Sequence, residues 1–337
     1  MQNIWLVVTQ EKGGLDRYCQ ELARLLPVRQ LRTRRYLKLR ENWTLLQALR
    51  TVKGLLHLPN QHFGRFALFL QTPFVITVHD VARFRFRLAK ETLSERIGLW
   101  LDKRGIKGAS LIIAVSQFTK RDLIELLKIP PDKVAVVYNG INHRVFYPRE
   151  KRPLSPPYLI YAGSERPRKN LGRLLEAFAK LKREFPELKL VKVGEAGRDP
   201  RFRQATLAKV KELGLEGEVT FVGHLRDDKL AEYYSGALCM VYPSLYEGFG
   251  FPPLEAMACG CPVAASRTTS IPEVVGDAGL LFDPRNVEEM AETIKRIISD
   301  EELRKKLIEK GLERSKRFTW QRAAERTWQL YRRLAEM

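Results

Sequence analysis

The chain has 337 residues, a length that fits two domains of ordinary size better than one. Its formal net charge is +20, of which residues 1–150 contribute +14 and the remainder +6. This excess of positive charge favours an acidic partner, such as nucleic acid, anionic lipid or a phosphate-bearing substrate. No apolar run approaches the about 20 residues of a membrane span, and the amino-terminal residues lack the basic start of a signal peptide.

The chain has four cysteines, all in apolar segments: Cys19, Cys239, Cys259 and Cys261. We expect them to be reduced core residues of a cytoplasmic protein, because secreted domains use cysteines in regularly spaced pairs. The two that stand closest together lack the second pair that a zinc site needs. The sequence also contains no Asp-x-Asp, so we expect no metal site.

The first half of the chain begins with a strand over residues 3–9, a turn with Gly13 and Gly14, and a helix over 15–26. A Gly-Gly turn between strand and helix can bind phosphate, although a tight turn is the commoner explanation. Residues 29–40 are densely basic. Leucines at helical spacing then predict one helix over 42–58.

This predicted helix has two open interpretations. Its apolar face could pack against the core, or Trp43 and the neighbouring basic residues could place it on an anionic membrane. Further along, a strand over 74–78 ends at His79. A histidine at the carboxyl end of a strand points into the crevice where doubly wound sheets bind ligands. A helix over 92–108, a strand over 111–116 and a helix over 118–127 continue the alternation.

A proline-rich stretch, 148–157, is interpreted as a linker between two domains. Strand 158–162 then begins a second sheet. Three cations, Arg166, Arg168 and Lys169, stand between this strand and a helix over 171–185, a position that suits a phosphate. Later strands and helices alternate with short connections, so we predict a parallel, doubly wound sheet. Gly223 follows one of these strands.

The stretch 242–265 carries the most specific pattern. A buried strand is followed by Glu247-Gly248-Phe249-Gly250 and then by a short helix that prolines open and Gly260 closes. Free N–H groups and the positive end of the dipole meet at such a helix N-terminus and favour phosphate. Glu247 and Glu255 bracket the loop, and a glutamate there can accept hydrogen bonds from a vicinal diol.

This loop and the following Pro-Pro-Leu-Glu-Ala-Met-Ala-Cys-Gly-Cys-Pro-Val resemble the donor-site signature of the retaining family 4 glycosyltransferases. The resemblance implies the GT-B fold: an α/β protein with two Rossmann-like, doubly wound parallel-sheet domains facing a central cleft. We therefore assign residues 1–147 to an acceptor-side domain, 148–157 to the linker and 158–318 to the nucleotide-sugar donor domain. The resemblance also implies that a helix over 319–337 crosses back to the first domain.

The resemblance carries roles onto matching residues. Arg166 and Lys169 would hold the donor diphosphate, with Arg168 as an alternative to Arg166, and residues 270–273 would face the donor. The predicted catalytic residues are Glu247, His79, Arg166 and Lys169. The predicted donor-binding residues are Gly13, Gly14, Arg166, Lys169, Gly223, Glu247, Gly248, Phe249, Gly250, Phe251 and Glu255. Whether Glu247 acts as a nucleophile or only as a sugar ligand stays open.

The implied function is transfer of a hexosyl group, with retention, from a GDP- or UDP-sugar to a glycan or lipid-linked acceptor. We expect no cofactor and no divalent metal. The expected location is the cytoplasm, with the inner face of the cell membrane as a candidate peripheral site through the basic N-terminal domain.

Three alternatives remain. The first is a sugar-nucleotide epimerase or phosphorylase on the same fold, although the sequence lacks a pyridoxal-lysine motif. The second is a catalytically inactive sugar-nucleotide binder. The third is a basic nucleic-acid-binding protein, but the basic residues are scattered rather than interleaved with aromatic ones, so we expect no nucleic-acid partner.

Overall fold

The structure is a computed structural model. It describes residues 3–9, 14–34, 39–86, 92–150, 153–154, 157–197 and 199–336. The chain divides into two compact units: the first comprises Met1–Gly140 and Thr319–Met337, and the second comprises Ile141–Phe318. Among the described helices, none is both long and apolar enough to cross a bilayer.

The first unit is built on a six-stranded parallel sheet with the order β2-β1-β3-β4-β5-β6. Its strands are β1 (Ile4–Thr9), β2 (Arg29–Thr33), β3 (Leu55–Leu58), β4 (Phe74–Val78), β5 (Leu111–Ala114) and β6 (Val134–Val136). The central strands β3 and β4 are buried at every position, because helices on a parallel sheet cover both of its faces.

The helices of the first unit are α1 (Gly14–Leu25), α2 (Leu39–Arg50), α3 (Gly64–Ala67), α4 (Ala82–Arg85), α5 (Leu93–Gly108) and α6 (Gln117–Leu127). At the start of α6, the Ser116 side chain caps the helix by accepting a hydrogen bond from the Thr119 amide. A later helix of the chain, α14 (Trp320–Ala335), also belongs to this unit.

The second unit has its own six-stranded parallel sheet, with the order β12-β11-β10-β7-β8-β9. Its strands are β7 (Tyr158–Ala162), β8 (Lys189–Val193), β9 (Val219–Val222), β10 (Cys239–Tyr242), β11 (Val263–Ser266) and β12 (Leu280–Phe282). Its helices are α7 (Leu171–Lys182), α8 (Pro200–Glu212), α9 (Asp227–Gly236), α10 (Phe251–Ala258), α11 (Ile271–Val275), α12 (Val287–Ser299) and α13 (Glu301–Ser315). The predicted class, with two doubly wound parallel sheets, is confirmed.

The strand order reverses once in each sheet. In the second sheet, the chain runs from β7 outward through β8 and β9, then returns to β10 on the other side of β7. The loops that leave β7 and β10 at their carboxyl ends therefore start at the switch point, where doubly wound sheets bind ligands. These two loops carry the cations 166–169 and the Glu247 loop.

The prediction of one helix over 42–58 was wrong. Helix α2 ends at Arg50, and β3 follows between β1 and β4. The break lies at Gly54, whose φ of +115° is rarely adopted by other residues and whose added Cβ would lie 2.0 Å from the Asn3 carbonyl oxygen. Leucines at 55, 56 and 58 fit a helical repeat, but a strand buried on both faces needs the same side chains.

Helix α14 packs against the first unit through aromatic side chains. Thr319 caps its start by accepting a hydrogen bond from the Arg322 amide. Trp320 and Tyr331 are fully buried. Gly140 packs against the backbone at the same helix start, and an added Cβ there would lie 2.1 Å from the Trp320 nitrogen. Part of the predicted linker, positions 151, 152, 155 and 156, lies outside the described residues.

Candidate active site

The glycine loop of the second unit joins β10 to α10. Gly250 stands at the N-cap of α10 with φ +118°, and an added Cβ would lie 2.8 Å from the Ile271 side chain. Glycine is therefore required at this position. In the described part of the chain, no side chain caps the start of α10. A helix N-terminus without a side-chain cap can receive an anion.

Glu247 is the centre of a charge cluster in this loop. Its Oε1 accepts a hydrogen bond from Lys169 Nζ at 2.6 Å and lies 3.4 Å from Arg168 Nη1. The Ser244 hydroxyl donates to the same oxygen. Burial alone would raise the pKa of Glu247, but the two cations and these hydrogen bonds lower it below its ordinary value. The carboxylate is therefore held ionised.

Lys169 and Arg168 reach this carboxylate because of the turn that carries them. Pro167–Lys169 is a short 3₁₀ turn, and Asn170 after it adopts a left-handed conformation with φ +60°. The Asn170 side-chain amide, through Nδ2, donates to the carbonyls of Pro243, at 3.0 Å, and Pro284, at 2.7 Å. The Arg168 guanidinium donates to the Tyr246 carbonyl at 2.9 Å. The loops after β7 and β10 are thus bonded to each other.

Arg168 faces the Glu247 carboxylate, whereas Arg166 lies on a different side of the turn. It lines a cavity of about 410 Å³ together with Phe202 and Lys209. Of the two arginines offered by the sequence, the structure brings Arg168 to Glu247. The choice depends on the 3₁₀ turn and on the conformation of Asn170, neither of which the residue types reveal.

A second segment fixes the main chain of the glycine loop. The Ser270 hydroxyl donates to the carbonyls of Glu247, at 3.0 Å, and Phe249, at 2.8 Å. The Glu247 amide donates to the Thr269 hydroxyl at 3.3 Å. The sequence pointed to 270–273 as a donor-facing loop, but it gave no role to these two hydroxyls. A Ser or Thr whose partner is a distant backbone leaves no signal in the spacing.

The remaining predicted donor residues of the second unit occupy different elements. Glu255 lies in α10 and is 5% exposed. Gly223 follows β9, and its carbonyl accepts a hydrogen bond from the Gly194 amide at 2.9 Å. Phe249 and Phe251 contact each other edge to face with ring centres 5.2 Å apart. Gly248 stands between Glu247 and this aromatic pair in the loop.

A buried ion cluster supports the start of the cation turn. Lys192, in β8, is 0% exposed, and its Nζ lies 3.0 Å from Glu165 Oε1. Arg203 Nη2 lies 2.7 Å from the same oxygen. Burial lowers the pKa of Lys192, and the contact with Glu165 opposes that shift. Because Glu165 immediately precedes Arg166, this cluster anchors the turn to the sheet. The spacing of Glu165, Lys192 and Arg203 in the sequence does not indicate it.

The first unit holds the other predicted residues. His79 follows β4 and is 7% exposed; its Nε2 lies 2.9 Å from the Pro59 carbonyl oxygen. The Tyr18 ring meets the His79 ring edge to face, with centres 4.9 Å apart. Gly14 is the first residue of α1. Gly13 lies outside the described residues.

A chain of hydrogen bonds runs beneath His79. The Tyr18 hydroxyl lies 2.9 Å from Thr77 Oγ1, and His57 Nε2 lies 2.8 Å from the same atom. His57 Nδ1 is hydrogen-bonded to the hydroxyl of Tyr331 on α14. Burial lowers the pKa of His57 to about 3, with a smaller contribution from His79. His57 is therefore a neutral link between α14 and the residues that pack on His79.

Within the described residues, no group of three or more His, Cys, Asp or Glu side chains converges as metal ligands do. The four cysteines are free and buried. What the second unit offers is a pair of cations, an ionised carboxylate and a helix N-terminus at the switch point of its sheet. This set suits a substrate that carries both a diphosphate and hydroxyl groups.

Two family models match consecutive parts of the chain. The model described as Glycosyltransferase Family 4 matches residues 6–145, and the model described as Glycosyl transferases group 1 matches residues 146–314. The O-antigen chain mannosyltransferase B of Escherichia coli is 32% identical over 284 residues, which cover 77% of this chain and 70% of that protein. The serotype-specific mannosyltransferase WbdA of E. coli is 29% identical over 243 residues, which cover 68% of this chain and 29% of WbdA.

Solved structures agree with these matches. Sucrose-phosphate synthase from Thermosynechococcus elongatus superposes with a TM-score of 0.81 at 25% identity, covering 100% of both chains. HepE of Anabaena, in its complex with UDP-glucose, superposes with a TM-score of 0.83 at 19% identity, again over 100% of both chains. The fold is therefore that of the GT-B enzymes. The chain belongs to the glycosyl transferases group 1 family, and it is a glycosyltransferase.

Proposed function

We propose that this enzyme transfers a hexosyl group, with retention of anomeric configuration, from a nucleotide-diphosphate sugar to a glycan or lipid-linked acceptor. The observation that carries the proposal is the Glu247 cluster, in which Lys169 and Arg168 converge on one carboxylate beside the start of α10. Few substrates would be bound by cations, a helix N-terminus and an ionised carboxylate in one place. A nucleotide-diphosphate sugar is one of them, because it carries both a diphosphate and sugar hydroxyl groups.

Each part of this cluster has a physical task in the proposed reaction. Cleavage of the glycosyl–phosphate bond places negative charge on the leaving diphosphate and positive charge on the sugar. Lys169, an arginine of the turn and the N-terminus of α10 stabilise the leaving group. Glu247 accepts hydrogen bonds from the sugar, and Glu255 accepts them from the ribose. No divalent metal is required in this scheme, because side-chain and helix charges do its work.

The relatives narrow the donor to be tested first. The E. coli relative is named as a mannosyltransferase, and the HepE neighbour holds UDP-glucose. Mannosyl and glucosyl donors, each with GDP or UDP, are therefore the first panel. The name O-antigen chain mannosyltransferase favours a glycan acceptor. For the location we propose the cytoplasm, at the inner face of the cell membrane, where a lipid-linked acceptor would be reached.

The proposal is tested by sugar-nucleotide turnover with the purified chain. A thermal-shift screen of GDP- and UDP-sugars first identifies the donor, since binding raises apparent stability by mass action. Turnover is then compared between the parent, Glu255→Ala and Lys169→Ala, with product configuration read by NMR. We expect both variants to lose most activity; undiminished turnover in both rejects the site.

Three further measurements test the predicted residue of the first unit and two alternative functions. His79→Ala tests the predicted catalytic residue of the first unit by the same assay. Incubation with donor alone, followed by sugar analysis, identifies an epimerase if the sugar changes without an acceptor. Retention on RNA or DNA at physiological salt would favour nucleic-acid binding, since such binding is strongly salt-sensitive.

A further inference from the structure

Helix α5 presents large apolar side chains to solvent. Leu93 is 71% exposed, Ile97 is 50% exposed and Trp100 is 55% exposed. Their spacing of four and three residues places them on one face of the helix. We call these three residues the α5 stripe. Isolated exposed apolar residues are ordinary, but three on one helical face mark an interaction surface.

The opposite face of α5 explains why the stripe cannot turn inward. It buries Gly98, Asp102, Gly105 and Ile106. A Cβ on Gly105 would lie 1.8 Å from the Gly64 carbonyl oxygen of α3, so the two helices are in backbone contact. The Asp102 carboxylate accepts hydrogen bonds from the Arg65 amide, at 3.0 Å, and from its guanidinium, at 3.0 and 2.7 Å. These contacts fix the rotation of α5 about its axis.

The charges around the stripe are positive. At 100° per residue, Arg104 falls on the stripe, while Arg96 and Lys107 fall along one edge; all three are exposed. The Arg104 guanidinium lies 4.9 Å from the Trp100 ring centre. The acidic residues of α5 point elsewhere: Glu95 accepts hydrogen bonds from Thr92 in a capping box, and Asp102 is buried. Among the described residues of α5, the exposed face is therefore apolar and cationic and carries no carboxylate.

We propose that the α5 stripe docks this enzyme on an anionic lipid surface. An apolar strip with basic residues along its edge is the pattern of helices that lie in the headgroup region, where the acyl boundary takes the apolar side chains and anionic headgroups take the basic ones. A protein partner for three apolar and three basic residues would also have to be acidic, but a bilayer offers both chemistries without a matching shape.

This inference rests on the membrane location proposed above and names the surface that meets the lipid, which differs from the candidate surface offered by the sequence. The sequence offered residues 42–58 as one candidate for that contact, with packing against the core as the other interpretation. The structure buries Leu45 and Leu49 of α2 and puts 55–58 in the sheet; among the α2 side chains that it describes, Trp43, 59% exposed, is the large apolar one that faces solvent. The stripe on α5 is longer, and cations accompany it.

The test is vesicle sedimentation with the full chain. The vesicles are pure phosphatidylcholine or a mixture of phosphatidylcholine with phosphatidylglycerol. The parent is expected to sediment with the mixed vesicles and to be released by salt. Leu93→Gln/Ile97→Gln/Trp100→Gln keeps good helix formers and removes the stripe, so it should stay in the supernatant. Arg96→Gln/Arg104→Gln/Lys107→Gln should weaken partitioning roughly fivefold for each charge removed.

Matched controls keep the result interpretable. Leu207→Gln removes an exposed leucine of α8 in the second unit, and Trp43→Gln removes the exposed tryptophan of α2; both should sediment like the parent. Circular dichroism verifies that each variant is folded, and turnover with a water-soluble acceptor should match the parent in every variant. Full sedimentation of the stripe variant overturns the proposal, as does equal loss in the Trp43 variant.

One further outcome would identify a different occupant. If the parent elutes as a dimer without vesicles and the stripe variant as a monomer, a second copy of the chain covers the stripe, and the lipid proposal fails. Sedimentation of the parent with pure phosphatidylcholine to the same extent as with the mixed vesicles also contradicts it, because the basic edge would then contribute nothing.

Discussion

Replacing Lys169 by methionine gives the sharpest test of the charge cluster. The Lys169 ammonium and the Glu247 carboxylate are 13% and 11% exposed and 2.6 Å apart. Removing one partner of a buried pair costs about 3–5 kcal/mol of unfolding free energy, because the other charge is left uncompensated. We expect the lower end, about 3 kcal/mol, since Arg168 and Ser244 still contact the carboxylate.

A double-mutant cycle isolates the pair from general damage. Glu247→Gln alone leaves the lysine without its carboxylate, and Lys169→Met/Glu247→Gln removes both charges. The double variant should therefore lose less stability than the sum of the two single variants, with a coupling of at least about 1 kcal/mol. Urea denaturation of the intact chain, followed by circular dichroism, provides the measurement. Additivity of the single variants to within about 0.5 kcal/mol would refute the reasoning.

The same cycle has a pH signature. The lowered pKa of Glu247 means that its contribution to stability is present above the ordinary glutamate pKa of about 4.3 and is lost as the pH falls through the folded value. Without Lys169 that pKa rises, so the variant's carboxylate takes up its proton earlier. The stability gap between parent and Lys169→Met should be widest near neutral pH and should narrow in acid. A gap that does not change with pH would contradict an ionic origin.

Three other predictions concern packing, titration and metal. Gly105→Ala should lower the unfolding free energy by about 3 kcal/mol, since the added Cβ would overlap the Gly64 carbonyl oxygen. Gly172→Ala should raise the unfolding free energy by about 0.5 kcal/mol, because Gly172 lies in a helix and its added Cβ would have no atom within 4 Å. Equal melting temperatures of the two variants would refute the packing argument. The pKa of His57 is lowered to about 3, so below pH 6.5 the unfolded chain binds one more proton than the folded chain, and the unfolding free energy should fall by up to about 1.4 kcal/mol per pH unit. His57→Gln should reduce this slope in melting experiments at several pH values. Identical slopes for parent and variant would be evidence against burial of a neutral imidazole. Turnover should be unchanged by EDTA, and a loss restored by magnesium would show that a metal takes part.

Much of the fold follows from hydrophobic pattern. The strands β4 and β7 have the predicted bounds, because the short apolar runs there end at His79 and Gly163. The same rule fails at β2, whose residues Arg29–Thr33 are mostly exposed at the sheet edge and read as a basic segment. The rule also fails at 55–58, because the leucines there are compatible both with a helical repeat and with a strand that is buried on both faces. Edge strands and short central strands are decided by tertiary pairing.

The candidate site was likewise predicted from the sequence only in part. The glycine loop and its glutamates were found from the sequence because glycine, proline and carboxylate positions agree over a short stretch, and the family they indicate is confirmed. The roles of the individual residues stay predictions. The sequence named residues 270–273 as facing the donor but not the bond of the Ser270 hydroxyl to the loop carbonyls, and it did not identify Lys192, which is buried against Glu165. Long-range contacts of single polar residues leave no periodicity to detect.

The position of helix α14 along the chain affects the order in which the two units can complete their folding during synthesis. The whole second unit lies between Gly140 and this helix along the chain, yet Trp320 and Tyr331 complete the interior of the first unit. On the ribosome, Ile141–Phe318 is therefore available to fold while the first unit still lacks one wall. Until Thr319–Ala335 have emerged, the hydrogen bond between His57 and Tyr331 cannot form, so Met1–Gly140 is the segment of the two that matures later. Chaperones that hold exposed apolar surface would act on that segment longest.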